Sequence, residues 1–178
     1  MTAHAFQIVF SVHNVTFGVA LGLGSAAGVR VGNAVGEGTP ALAVPRTVIA
    51  AGLAALFTGL LAIVIVVARW PIVAAFPAAA GVHAVALAML PIWAPFILFD
   101  GVQVVFVYAL RSLGDQIAAG VNSIMAFFVV TGGAGWLFVH AGGGPLGLVY
   151  ASGLGMVAAA LLHGGRFAWL SARLRRKN

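Results

Sequence analysis

The chain has no cysteine, only three acidic residues, and 7% charged residues in all among its 178 positions. Each scarcity removes a class of protein. Without cysteine there is no disulfide framework, no thiolate metal ligand and no cysteine nucleophile. With so little charge set against 62% hydrophobic residues, a soluble fold would lack the polar surface to cover itself. The net charge of +6 does not point to nucleic acid either, because the basic residues are strung between apolar segments instead of clustering on one face with aromatics. No targeting segment is recognisable at the N-terminus.

What the chain has is apolar length. Uncharged runs cover residues 5–29, 47–68, 70–99 and 116–165. A buried helix of a soluble protein rarely stays uncharged for about 20 residues, whereas a bilayer-spanning helix must. The fourth run holds two spans, broken at Gly142-Gly143-Gly144-Pro145, which reads as a turn because three glycines and a proline do not continue a helix comfortably. The third run carries Pro71, Pro77 and Gly81 near its start and enters the bilayer near His83, continuing through Asp100 to Leu110. The fold class is therefore all-α: a polytopic transmembrane helix bundle with spans near 5–29, 47–68, 83–110, 117–140 and 146–165, followed by a basic tail, 166–178. The bilayer itself is the first partner this implies.

Basic residues in short loops stay on the cytoplasmic side. With five spans, Arg30 and Arg46, then Arg111, then Arg166, Arg173, Arg175, Arg176 and Lys177 all share one side, and only Arg69 falls opposite. This predicts a multi-pass protein of the cell (inner) membrane with its C-terminus cytoplasmic and its N-terminus outside. An odd number of spans with an outside, unsignalled N-terminus predicts further helices upstream. Trp169 among the basic residues of the tail reads as a headgroup anchor.

Of the acidic residues, Glu37 and Asp115 fall in loops. Asp100 lies eleven residues before Arg111, which at 1.5 Å per residue places it about 16 Å deep, near the middle of a core roughly 30 Å thick. A central aspartate costs about 2.5–3.5 kcal/mol on insertion scales, so it calls for an ion, a proton or a partner. Desolvation favours its neutral form and a bound cation its charged form. A carboxyl balanced between the two can exchange H⁺ or Na⁺, and Asp100 is the candidate cation-coupling residue; the alternative is a structural hydrogen bond to another helix.

Gln103 is one turn on, and Trp93, Phe96 and Val107 continue the same helical stripe. Together they can line a cavity suited to lipophilic cations, or simply pack. Pro91 and Pro95 each remove an amide donor beside the carboxylate, predicting a kink or hinge. In and after the first span, Gly18, Gly22, Gly24, Gly28, Gly32 and Gly36 recur at spacings of four, apart from one two-residue step, and read as a helix-packing face. The Gly22-Leu23-Gly24 stretch has no preceding strand and does not bind a dinucleotide.

His4, His83 and His140 fall near outer ends and His163 near an inner end; His13, with Asn14 and Gln7, is deeper, a polar contact to another span. No HExxH spacing accompanies them, so no metal is expected beyond Na⁺ at Asp100, and no other cofactor. Neither Ser123 nor Ser152 has a helical neighbour able to act as base, and the chain is not read as an enzyme.

The segments Thr2-Ala3-His4-Ala5, Gly22-Leu23-Gly24-Ser25-Ala26-Ala27-Gly28-Val29-Arg30-Val31-Gly32-Asn33-Ala34-Val35-Gly36, Phe99-Asp100-Gly101-Val102-Gln103-Val104-Val105 and Ala109-Leu110-Arg111-Ser112-Leu113-Gly114-Asp115 resemble, in order and spacing, the multidrug and toxic compound extrusion (MATE) transporters. The resemblance covers nearly the whole chain and implies the last five of twelve helices, an incomplete C-terminal lobe. It further implies antiport of drugs or lipophilic cations against Na⁺ or H⁺, with Asp100 where many members carry a coupling acid and Gln103 matching the glutamine that follows it. The implied partners are the missing N-terminal lobe or another copy of the chain, and lipophilic cationic small molecules. Ser112, Gln116, Phe127, Phe128, Ala134 and Val149 depart from the residues common at those positions. The alternative is a small, non-transporting membrane protein that associates through its glycine-rich helix.

Overall fold

In the computed structural model, which describes residues 1–176, helices follow one another with short breaks. Helix α1 spans Thr2–Gly36 and α2 Ala43–Val67, the latter preceded by a 3-10 turn, Pro40–Leu42. A short α3, Arg69–Ala74, leads to α4, Ala80–Trp93, and a 3-10 turn, Ala94–Phe96, joins it to α5, Ile97–Ser112. Helix α6, Gln116–Ile124, widens into a π-helical segment, Met125–Thr131, before α7, Gly132–His140; α8 runs Gly144–Arg176. The segments unite into helical units of 35, 28, 33, 25 and 31 residues, five among the described residues that are apolar and long enough to cross a membrane. Even the 25-residue unit reaches about 38 Å at 1.5 Å per residue, more than the roughly 30 Å hydrocarbon core. This is an all-helical membrane bundle. Lys177 and Asn178 of the basic tail lie outside the described residues.

The helix ends follow from glycine placement. At the end of α7, Gly142 takes a left-handed φ of 76°. That lets its amide reach Val139 O and the Gly143 amide reach Phe138 O at 2.8 Å, a Schellman closure that satisfies carbonyls left open by the last turn. Gly38 and Gly114 close α1 and α5 the same way, through Thr39 N to Ala34 O at 2.8 Å and Asp115 N to Leu110 O at 2.9 Å. The turn occupies residues 141–143, and Pro145 lies inside the first turn of α8, where its missing amide would have no helical acceptor anyway.

The bundle is built inside out relative to a soluble protein. Alanine dominates the interior, with Ala5, Ala54, Ala86, Ala94, Ala109, Ala119, Ala126 and Ala159 fully buried, while Phe128 is 78% exposed and Val15, Trp136 and Leu161 are exposed as well. Lipid tails solvate large apolar groups as well as a core does, so helices associate by close approach of small residues. Helix α5 is central, packing on α1, α2 and α8. A Cβ on Gly101 would stand 2.6 Å from Thr58 Cγ2 of α2, and one on Gly24 would stand 2.8 Å from Val104 Cγ1 and 2.9 Å from Tyr108 Cδ2 of α5.

The glycine face expected on α1 is corrected by this packing. Gly24 and Gly28 contact α5, whereas Gly18, Gly22, Gly32 and Gly36 have nothing within 4 Å of a notional Cβ. At about 100° per residue, the two-residue step from Gly22 to Gly24 turns the chain through about 200°, so these two glycines lie on opposite faces. Gly24→Leu should therefore destabilise the bundle by about 1–3 kcal/mol through overpacking while Gly22→Leu stays neutral; thermal unfolding in detergent micelles would measure both, and equal effects would contradict this packing.

Candidate functional site

Asp100 stands in the first turn of α5, directly after the proline-bearing break. Pro91 lies inside α4 and Pro95 in the 3-10 turn. Neither can donate an amide, and the α-helical ladder gives way to 3-10 geometry there before resuming. At the start of a resumed helix a negative charge is favoured by the aligned peptide dipoles. The carboxylate is turned inward, 3% exposed. Gln103 Nε2 donates to Asp100 Oδ1 at 3.2 Å, and the backbone beside it is held against Thr58 by Gly101.

The other polar neighbour comes from α1. His13 Nε2 lies 3.9 Å from Asp100 Oδ2, too far for a hydrogen bond yet close enough for strong electrostatic coupling in a medium of low dielectric. Its Nδ1 is buried without a hydrogen-bond partner among the described residues. Aromatic rings hold the imidazole: Phe10 at 5.9 Å, Phe17 at 5.5 Å and Trp93 edge-on at 5.3 Å between centroids. His13 and Trp93 also line a cavity of about 200 Å³ together with Phe10, Phe127, Thr131 and Ser152. His13 thus touches both the cavity and the carboxylate.

The far wall of that cavity is the π-helical segment. There Thr131 Oγ1 donates to Ala126 O, five residues earlier, at 3.3 Å, and Gly155 of α8 leaves Thr131 the room that a Cβ would fill. A wide turn of this kind often marks a functional site; here it carries Phe127 and Thr131, both cavity-lining residues.

Of the residues singled out in the sequence, Gln103 meets Asp100 and Trp93 meets the cavity. Phe96 does neither. Its ring lies over Gly153 of α8, where a Cβ would stand 2.5 Å from it, so it packs between helices. His13 was legible as a polar group deep in the first span, but its partner is on another helix, 87 positions on, and no spacing rule connects them. The serine reading also needs correction: Ser123 Oγ lies 3.4 Å from His163 Nε2, a neighbour brought by α8. That hydroxyl donates to Ala119 O, and the two ring nitrogens face Ala159 O and Ala119 O, so the contact belongs to a helix-packing network. Among the described residues no group of three histidine or acidic side chains gathers as a metal site.

The sequence pattern of the MatE family matches residues 4–134. The chain belongs to the MatE family. Relatives include the Multidrug resistance protein NorM of Burkholderia vietnamiensis, 35% identical over 169 residues, which cover 92% of this chain and 37% of that protein. The Probable multidrug resistance protein NorM of Deinococcus radiodurans is likewise 35% identical, over 90% of this chain and 39% of its own length. The fold of this MatE chain is also that of the eukaryotic MATE transporter AtDTX14, whose crystal structure aligns with 99% of the chain at a TM-score of 0.89 and 20% identity, covering 40% of that protein. The chain therefore spans about two fifths of the length of the relatives it matches.

Energetic cost separates a functional from a structural role for Asp100. Breaking a well-made buried ion pair costs about 3–5 kcal/mol, whereas relieving a desolvated carboxylate stabilises, as often happens at functional sites. The long His13 contact favours the second case. Asp100→Asn should leave the thermal midpoint in detergent unchanged or raise it; a loss of more than about 3 kcal/mol would mark a structural pair instead.

Proposed function

We propose that this chain contributes part of a cation-coupled exporter of drugs or lipophilic cations, with Asp100 as the coupling group. The observation that carries this reading is a carboxylate buried mid-span, donated to by one amide and faced by one histidine, beside an aromatic cavity. Such a group is stable only with a proton or a cation to offset its charge. It can bind H⁺ or Na⁺ from one side and release it to the other. The aromatic walls suit a lipophilic cation through their ring faces, and the names of the relatives, multidrug resistance proteins, support the same substrate class. They also speak for transport and against an enzymatic role.

The cavity's size bears on what else is needed. Drug-sized ligands occupy pockets of about 300–1,000 Å³, and about 200 Å³ holds only part of one. On this reading the remaining wall is another helical lobe or a second copy of the chain. The break at Pro91 and Pro95 is the hinge that would let the carboxyl face alternate sides. The bundle's alternating helices put Arg30, Arg46, Arg111, Arg166 and Arg173 at one end and Arg69 at the other, and the retention of basic residues on the cytoplasmic side supports an orientation with the basic end, and the C-terminus, facing the cytoplasm.

Efflux of ethidium from cells carrying the transporter, driven by an imposed proton or Na⁺ gradient, tests the proposal. Asp100→Asn should reduce gradient-driven efflux to background while leaving the protein in the membrane; full efflux from this variant would remove Asp100 from the mechanism. A second reading, association without transport, draws on the open faces of Gly18, Gly22 and Gly32. Cross-linking in membranes that captures the chain through this face, with no ethidium efflux under either gradient, would favour it.

A further inference from the structure

A groove separate from the Asp100 site runs between α1 and α2 at the basic end of the bundle. Its volume is about 400 Å³, and its walls are Leu23 and Ala26 on α1 and Ile49 and Leu53 on α2, with Arg30 and Arg46 at its mouth. From Arg30 to Leu23 is seven residues, so the groove extends about 10 Å into the membrane-spanning part of the helices. Its apolar wall is open, Ile49 being 65% exposed.

The two guanidiniums differ in what they already hold. Arg46 Nη1 donates to Arg30 O at 2.6 Å, tying the start of α2 to α1, and its Nη2 lies 3.7 Å from Glu37 Oε2. Glu37 is largely exposed, and an ion pair of that kind is weak. The Arg30 side chain is exposed and has no acidic or carbonyl partner among the described residues. A cationic mouth at the end of a membrane helix pair, opening onto an apolar slot, has the polarity of an anionic amphiphile with its headgroup outward. We infer that this groove binds one anionic phospholipid, its phosphodiester on Arg30 and Arg46 and an acyl chain along Leu23, Ala26, Ile49 and Leu53. A zwitterionic lipid would gain the apolar contact without the net charge attraction. The site depends on neither Asp100 nor transport.

Native mass spectrometry of the purified chain in micelles supplied with either phosphatidylglycerol or phosphatidylcholine tests this. The protein should retain one phosphatidylglycerol in preference to phosphatidylcholine. Arg30→Gln, which leaves the Arg46 backbone contact intact, should weaken retention by about five-fold, the loss of one basic contact near the surface, and Arg30→Lys should keep most of it. Leu53→Trp, filling the slot, should lower retention of both lipids. Arg173→Gln, outside the groove, should not match the effect of Arg30→Gln. Equal retention of both lipids overturns the proposal, as does an Arg173→Gln loss equal to that of Arg30→Gln, which would mean a diffuse basic surface. So does failure to retain phosphatidylglycerol at all, the outcome if another helix fills the groove.

Discussion

A carboxylate in hydrocarbon must be surrounded by protein, and the arrangement of this bundle can be read as the means of surrounding Asp100. Water is absent from the bilayer core, so each polar group there needs an internal partner or an enclosed cavity. Helix α5 carries the acid and occupies the centre, and the helices around it reach it through glycine and alanine. Gly101 admits Thr58, and Gly24 and Gly28 admit Val104 and Tyr108. Larger residues at those positions would push the helices apart and open the carboxylate to lipid. The bulky residues are instead outside, where acyl chains solvate them.

The two departures from α-helical geometry border the same space. The proline break lies beside Trp93 and just ahead of Asp100, and the π-helical segment supplies Phe127 and Thr131 opposite. Irregular backbone inside a membrane is stable only against protein or a cavity, and both segments meet that condition. A regular helix in either place would carry the same side chains at a different angle. Trp93 and Phe96 show how sharply the break decides this: three residues apart, one holds the His13 ring and the other packs against Gly153.

At the basic end the charges are used in pairs. Asp115, at the N-terminus of α6, accepts two hydrogen bonds from Arg166 of α8 at 2.6 and 3.0 Å. Arg166 and Arg173 lie over the ring of Trp169 at 4.3 and 3.7 Å, a cation-π arrangement in the segment the sequence marks as a headgroup anchor. Arg46 spends one donor on the backbone of α1. These contacts tie the fourth span to the fifth and the first to the second, so the end carrying most of the charge is also laced by it. The Arg30 side chain makes none of these contacts, and its guanidinium stands at the mouth of the groove beside it.

Composition and order along the chain determined that this is a helical membrane protein, how many long apolar segments it has, that Asp100 is the costly residue and that Gln103 shares its face. Those properties depend on transfer energies and on a period of 3.6 residues, both local. The tertiary structure alone decided that His13 faces the carboxylate, that Ser123 meets His163, that Phe96 leaves the cavity, and which glycines are used for packing. Each of these depends on the rotation of one helix about its axis relative to another. A chain with apolar residues on all sides leaves that rotation open, because lipid accepts every face, and only the fit of small side chains between helices settles it.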